Sequence, residues 1–161
     1  VRDLAGNAKV EIFEVTTIVE EPEIDDTIKS SKYEVNTSSN MISKITPNTD
    51  VSAFKSNIST EVGYKVVDKS GNEIQNSDLV VTGDKLITDT GKEYALIVTG
   101  DLNSDGDITI SDLSKLRKHI LKAEILGDEY QKAADINNDG DVTLNDVSMM
   151  RKVILNIEKI D

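Results

Sequence analysis

Apolar residues recur at helical spacing twice in the last third of the chain. Leu113, Leu116 and Ile120 stand at i, i+3 and i+7, and Val147, Met150 and Ile154 repeat that spacing 34 residues later. Each set predicts an amphipathic helix with one apolar stripe. Between them Gly127 breaks the pattern, and Asp128 is placed to cap a short helix running to Ala134. Upstream the texture changes to short β-prone runs at Lys32–Asn36, Met41–Thr46, Gly63–Asp68, Leu79–Thr82, Lys85–Thr88 and Glu93–Thr99. Turn signals at Ser70-Gly71-Asn72, Gly83-Asp84 and Thr90-Gly91 separate them. One helix is expected over Asp50–Ile58, where Val51, Phe54 and Ile58 share a face. The pattern divides the chain into two modules. Residues 30–99 read as a small mainly-β module, Ig-like or α+β in class, and residues 100–161 as an all-α unit of two loop–helix repeats. Residues 1–29 read as an upstream strand followed by the acidic, proline-containing linker Glu20–Asp26.

The repeat is more than a pattern of hydrophobicity. DLNSDGDITISDLSKLRKHILK, from Asp101, aligns with DINNDGDVTLNDVSMMRKVILN, from Asp135. Each copy opens with a twelve-residue acidic segment suited to wrapping a calcium ion, which takes six to eight hard oxygens at about 2.3–2.6 Å. Side-chain oxygens are needed at positions 1, 3, 5 and 12, a backbone carbonyl at 7, and often a water-mediated contact at 9. In the first loop these positions hold Asp101, Asn103, Asp105, Asp112, Asp107 and Thr109. In the second they hold Asp135, Asn137, Asp139, Asp146, Asp141 and Thr143. Position 6, where the backbone turns sharply, is Gly106 or Gly140. Three carboxylates crowded in one loop repel, at about 4 kcal/mol per close pair for an effective dielectric near 20, so a cation should hold each loop closed. Ile108 and Val142, at position 8, are candidates for a β-bridge coupling the loops.

Composition narrows the function further. A net charge of −12 over 161 residues argues against nucleic acid as a partner. The absence of cysteine removes disulfides, thiol catalysis and thiolate metal sites. The longest apolar runs, Ala95–Val98 and Val153–Leu155, are too short to span a bilayer. The chain opens on Val1, which leads us to expect a piece of a longer protein.

Two features depart from an ordinary EF-hand: position 12 is Asp112 or Asp146 where Glu is usual, and the run EYALIVTG entering the first loop reads as a strand. Loop plus exiting helix, given twice with a short helix between and Arg-Lys at matching helix positions, resembles the dockerin family, type I-like, over Gly100–Ile157. The preceding stretch, with ITPNTDVSAFKSNI and YKVVDKSGNEI, resembles the small β X modules that precede dockerins. VRDLAGNAKVEI resembles the closing strand of an Ig-like domain. The dockerin resemblance implies two Ca²⁺ ions in F-hand loops and no catalysis. It also implies a monomer, extracellular, secreted or on a bacterial cell surface, that binds a cohesin domain of a scaffoldin or cell-surface protein. Such docking assembles polysaccharide-degrading complexes. Candidate cohesin contacts are Ile110, Ser111, Ser114, Lys115, Arg117, Lys118 and Lys122 in the first copy. Their counterparts are Leu144, Asn145, Ser148, Met149, Arg151, Lys152 and Asn156.

Met149 and Val153 stand where the first copy has Lys115 and His119, so the outer side of the second helix either binds more strongly or packs on the β module. Two rivals are a calcium sensor or structural EF-hand without a cohesin partner, and an accessory fragment of a glycoside hydrolase. The first lacks an entering helix and a methionine-rich groove, while the second has little room for a cleft and no Trp to stack on a sugar.

Overall fold

A computed structural model describes residues 25–160. The β-prone stretch over 1–19 and most of the acidic linker lie outside the described residues. From Asp25 onward the chain is docked on the β module. Asp26 accepts from the Thr90 hydroxyl at 3.0 Å and pairs with Lys92 at 3.5 Å, and Ile28 is buried in the core.

Five strands follow the β-prone runs: β1 (Glu34–Asn36), β2 (Met41–Ile45), β3 (Tyr64–Val67), β4 (Lys85–Thr88) and β5 (Glu93–Val98). They form one sheet in the order β1-β2-β5-β4-β3. The β2–β5 pair is parallel and the other pairs are antiparallel. The register of β2 against β5 shifts between Ile42 and Ile45, where Lys44 adopts φ +62°. This irregularity resets the alternation, so Ile42 and Ile45, three residues apart, both enter the same core. Gly71 and Gly91, each at φ +86°, sit in two of the expected turns.

The Leu79–Thr82 run does not become a strand. Leu79 forms a single bridge with Asp50, Val80 N–H donates to the Thr49 carbonyl at 2.9 Å, and the Thr82 hydroxyl pairs with both the carbonyl and N–H of Val98 at 3.1 Å. A side chain takes the place of a backbone ladder there. The helix α1 (Val51–Lys55) starts at Asp50, whose carboxylate accepts from Ala53 N–H at 2.7 Å. It stops short of Ile58. The Ser56 hydroxyl and Asn57 amide bond back to the carbonyls of Ser52 and Ala53, and the last turn tightens to i, i+3 bonds.

Three further helices complete the fold: α2 (Ile110–Ile120), α3 (Asp128–Ala134) and α4 (Leu144–Ile154). The organising strand is β5, which alternates between two cores. Tyr94, Leu96 and Val98 face a core with Ile42, Val51, Phe54 and Leu86. Ala95 and Ile97 face a second core with Leu113, Leu116, Ala133, Val147 and Met150. Both faces of the sheet's centre are therefore covered: α3 packs on β5, and α2 packs on α4 beyond it. Ala133 and Ala134, both fully buried, let α3 lie close to the strand, and its Ala133 carbonyl accepts from Gly100 N–H at 2.8 Å. Among the described residues no helix is long and apolar enough to cross a membrane.

Two predictions follow from this packing. Replacing Ile97 with Ala should cost about 2–5 kcal/mol and move the unfolding of both cores together, read by urea titration with probes in each. Loss confined to one core would contradict the shared strand. Asp84 accepts from Val81 N–H at 3.0 Å, yet burial outweighs this bond and pushes its carboxyl up to about 6. The folded state thus holds this proton more tightly than the unfolded chain, whose value is near 3.8. Stability tied to Asp84 is full below that value and is lost as pH rises through about 6. Asp84→Asn should remove this loss, so its melting temperature relative to wild type should climb between about pH 4 and pH 7. A constant difference would refute the assignment.

Candidate metal loops and docking face

Both loops fold around their first and last acids. In the first, Asp101 accepts N–H groups from Ser104 at 2.6 Å, Asp105 at 3.2 Å and Gly106 at 3.3 Å. Asn103 Oδ1 accepts from Asp105 N–H at 3.0 Å, and Asp105 Oδ1 accepts from Asp107 N–H at 3.0 Å. The loop is a chain of side-chain-closed turns. Ser104 at φ +66° and Gly106 at φ +80° supply its left-handed residues. The second loop repeats these bonds apart from that of Ser104: Asp135 accepts from Asp139 and Gly140, Asn137 from Asp139, and Asp139 from Asp141, with Asn138 at φ +56° and Gly140 at φ +95°.

Position 12 does two jobs at once. Asp112 Oδ1 accepts from Leu102 and Asn103 N–H at 2.9 and 3.0 Å, while Oδ2 accepts from Thr109 N–H and its hydroxyl at 2.9 Å. It closes the loop and also forms the capping box of α2, with Thr109 as N-cap. Asp146 does the same for α4 through Ile136, Asn137 and Thr143. Asp here suits both roles, because a capping-box acid sits close against the helix start.

Asp101, Asp112, Asp135 and Asp146 are all buried, whereas Asp105 and Asp139 are exposed. Among the described residues no three acidic side chains converge on one point. The crowding of three carboxylates expected in each loop is therefore reduced to two buried acids, the third being turned outward and tied to an Asn amide at 2.7 or 2.6 Å. Burial pushes the Asp101 carboxyl above its usual range, against the four backbone N–H groups that favour its charge. Of the ion pairs among the described residues, only Lys132–Asp135, at 3.7 Å, reaches a loop acid. Hard oxygens alone, with buried negative charge largely unmatched by basic side chains, form a donor set that fits calcium. Asp101, Asn103, Asp105, the Asp107 carbonyl and Asp112 would hold it, with the equivalent set in the second loop. Ile108 and Val142 both join the second core, but no bridge forms between them. Ile108 packs against Gly100, where a Cβ would collide with it.

The repeat extends past the loops. The Ser114 and Ser148 hydroxyls donate to the Ile110 and Leu144 carbonyls, and Lys118 and Lys152 pair with Glu124 and Glu158 at 3.3 and 3.0 Å. These two lysines are thus engaged on their own surface. Ser111, Arg117, Lys122, Asn145, Arg151 and Asn156 are exposed, while Lys115 is half-buried. Met149 and Val153 are half-buried on the second core, and Val153 also borders the β2–α1 turn at Thr46–Asn48. Packing, rather than an outward apolar face, accounts for these two substitutions.

Sequence reasoning missed two exposed leucines. Leu121 and Leu155 are 77% and 67% exposed, and they join Ile110 and Leu144, at 70% and 69%, in a twice-repeated pattern. The signal was present, since each leucine lies just past its helix and off the apolar stripe. His119 accepts from Leu126 N–H at 3.1 Å through Nδ1, which pins the α2–α3 connection.

The bond pattern predicts a contrast measurable without metal. In chelator, Asp112→Ala strands four donors and should cost at least about 3 kcal/mol in urea unfolding, whereas Asp105→Ala should cost about 1 kcal/mol or less. Equal losses would mean that Asp112 does not tie the loop to the helix.

The family model of the Dockerin type I domain matches residues 99–155. This span runs from the end of β5 through both loops and all three C-terminal helices to the residue after α4. No curated protein matches the chain.

Proposed function

Residues 99–155 being a dockerin type I domain, we propose that they take up two Ca²⁺ ions, one per loop, and then grip a cohesin domain. Dockerin type I domains in general bind calcium and dock cohesins without catalysis. The finer reading is that this docking attaches the parent protein, outside the cell, to a scaffoldin or cell-surface complex that degrades polysaccharide.

One observation carries the reading: two loop–helix units of near-identical internal bonding present matching exposed residues at corresponding places. Calcium, when bound, supplies the positive charge that the buried loop acids otherwise lack. The chain's own residues do the rest. Asp112 and Asp146 lock each loop to the first turn of its helix, fixing where Ile110 and Leu144 stand. Leu121 and Leu155 add apolar area at the other helix ends, and Arg117 and Arg151 are exposed and make no ion pair among the described residues. Aliphatic residues with nearby arginine suit a partner surface that is apolar at its centre and polar at its rim.

Capture on a panel of type I cohesins tests this. Full capture is expected with calcium, loss of at least about tenfold in affinity with chelator, and the same loss for the double variant Asp101→Ala, Asp135→Ala. Undiminished capture by the double variant would detach docking from the loops.

A further inference from the structure

The loops are alike within but differently housed. The β module grips the first half of the first loop. Thr82 N–H donates to Asp101 Oδ2 at 2.9 Å, and the Ser104 hydroxyl returns a bond to the Thr82 carbonyl at 2.8 Å. Across the turn, Asn48 N–H donates to the Gly106 carbonyl at 2.8 Å and its side-chain amide to Asp107 Oδ1 at 3.1 Å. Gly106 itself is pressed on the module, for a Cβ there would stand 3.2 Å from Leu79 Cβ and 3.3 Å from the Val80 carbonyl.

The second loop has none of this. A Cβ on Gly140 would meet nothing within 4 Å, and the residues from Asn138 to Asp141 are exposed. Asn138, the counterpart of Ser104, reaches only the Ile136 carbonyl at 3.5 Å. A cation stands beside each loop: Lys132 lies 3.7 Å from the first acid of the second, and Lys69 lies 2.6 Å from the Ser104 hydroxyl of the first. A loop already held in shape gives up less conformational freedom when it closes on an ion. This favours the first loop.

We propose that the β module is a clasp for the first calcium loop, so that the two loops load unequally, the first tightly and the second weakly. Thr82, Asn48 and Ser104 act as positioning residues. The inference rests on the calcium reading above but on no partner. By linkage, an ion in the first loop stabilises the β module as well, whereas an ion in the second stabilises mainly α4 and its own loop. As calcium falls, the half of the docking face on α4 is released before the half on α2.

Calorimetric titration of Ca²⁺ into the calcium-free 161-residue chain tests this. Two binding events are expected, their dissociation constants at least about tenfold apart. Asp135→Asn should keep the tight event and Asp101→Asn the weak one. The double variant Asn48→Gly, Ser104→Gly places glycine only at positive-φ positions (φ +60° and +66°). It should loosen the tight event by about fivefold or more and leave the weak one in place, while Asn138→Gly should shift neither beyond about twofold. Hydrogen exchange on the unaltered chain gives a second readout, since protection of the Thr82 amide should rise with the first equivalent of calcium. Two equal events, a tight event surviving Asp101→Asn, or a clasp variant that binds as wild type overturns the inference alone. A chain that takes up no calcium overturns it together with the docking reading.

Discussion

A buried carboxylate at the junction of loop and helix is the constraint on which this C-terminal unit depends. Asp112 draws the start of its loop, through Leu102 and Asn103, against the first turn of α2, through Thr109. One side chain thus sets where the loop ends, where the helix begins and the angle between them. Asp146 repeats the device on α4. Burying such a charge is costly unless its lone pairs are taken up, and four donors around Asp112 take them up. What remains uncompensated is net charge, and this links the shape of the unit to a hard cation.

A second constraint joins the unit to what precedes it. A single strand, β5, carries one apolar face for each core. A small β module has a marginal core of its own, and here the other side of its sheet is sealed by α3 instead of water. The dockerin domain in turn begins at residue 99, directly after that strand, so its first loop is built against the sheet. A mechanical consequence is that force or disorder at one module is passed to the other through packed side chains and not through a flexible tether.

Internal symmetry and external asymmetry then act on different properties. The symmetric part, from capping boxes to paired Lys–Glu contacts and exposed leucines, repeats one exposed surface twice. The asymmetric part lies where Thr82 and Asn48 touch one loop only. The repeated residues are exposed, while the contacts with Thr82 and Asn48 hold the first loop alone.

Much of this was legible in the residues alone. Both loops, both amphipathic helices, the short helix between them and the five strands follow from local signals: glycine where φ must be positive, Asp or Thr where a helix needs a cap, apolar residues at period two or 3.6. Local chemistry also indicated the metal's class, because the oxygens come from one short segment. Tertiary structure decided the matters that depend on distant neighbours. It turned Leu79–Thr82 from a strand into a support for β5 and Asp101, laid Met149 and Val153 on the core, and kept Ile108 and Val142 from pairing. It also made twin loops unequal, since a repeated sequence fixes the bonds within each copy while the packing of the rest of the chain fixes what each copy touches.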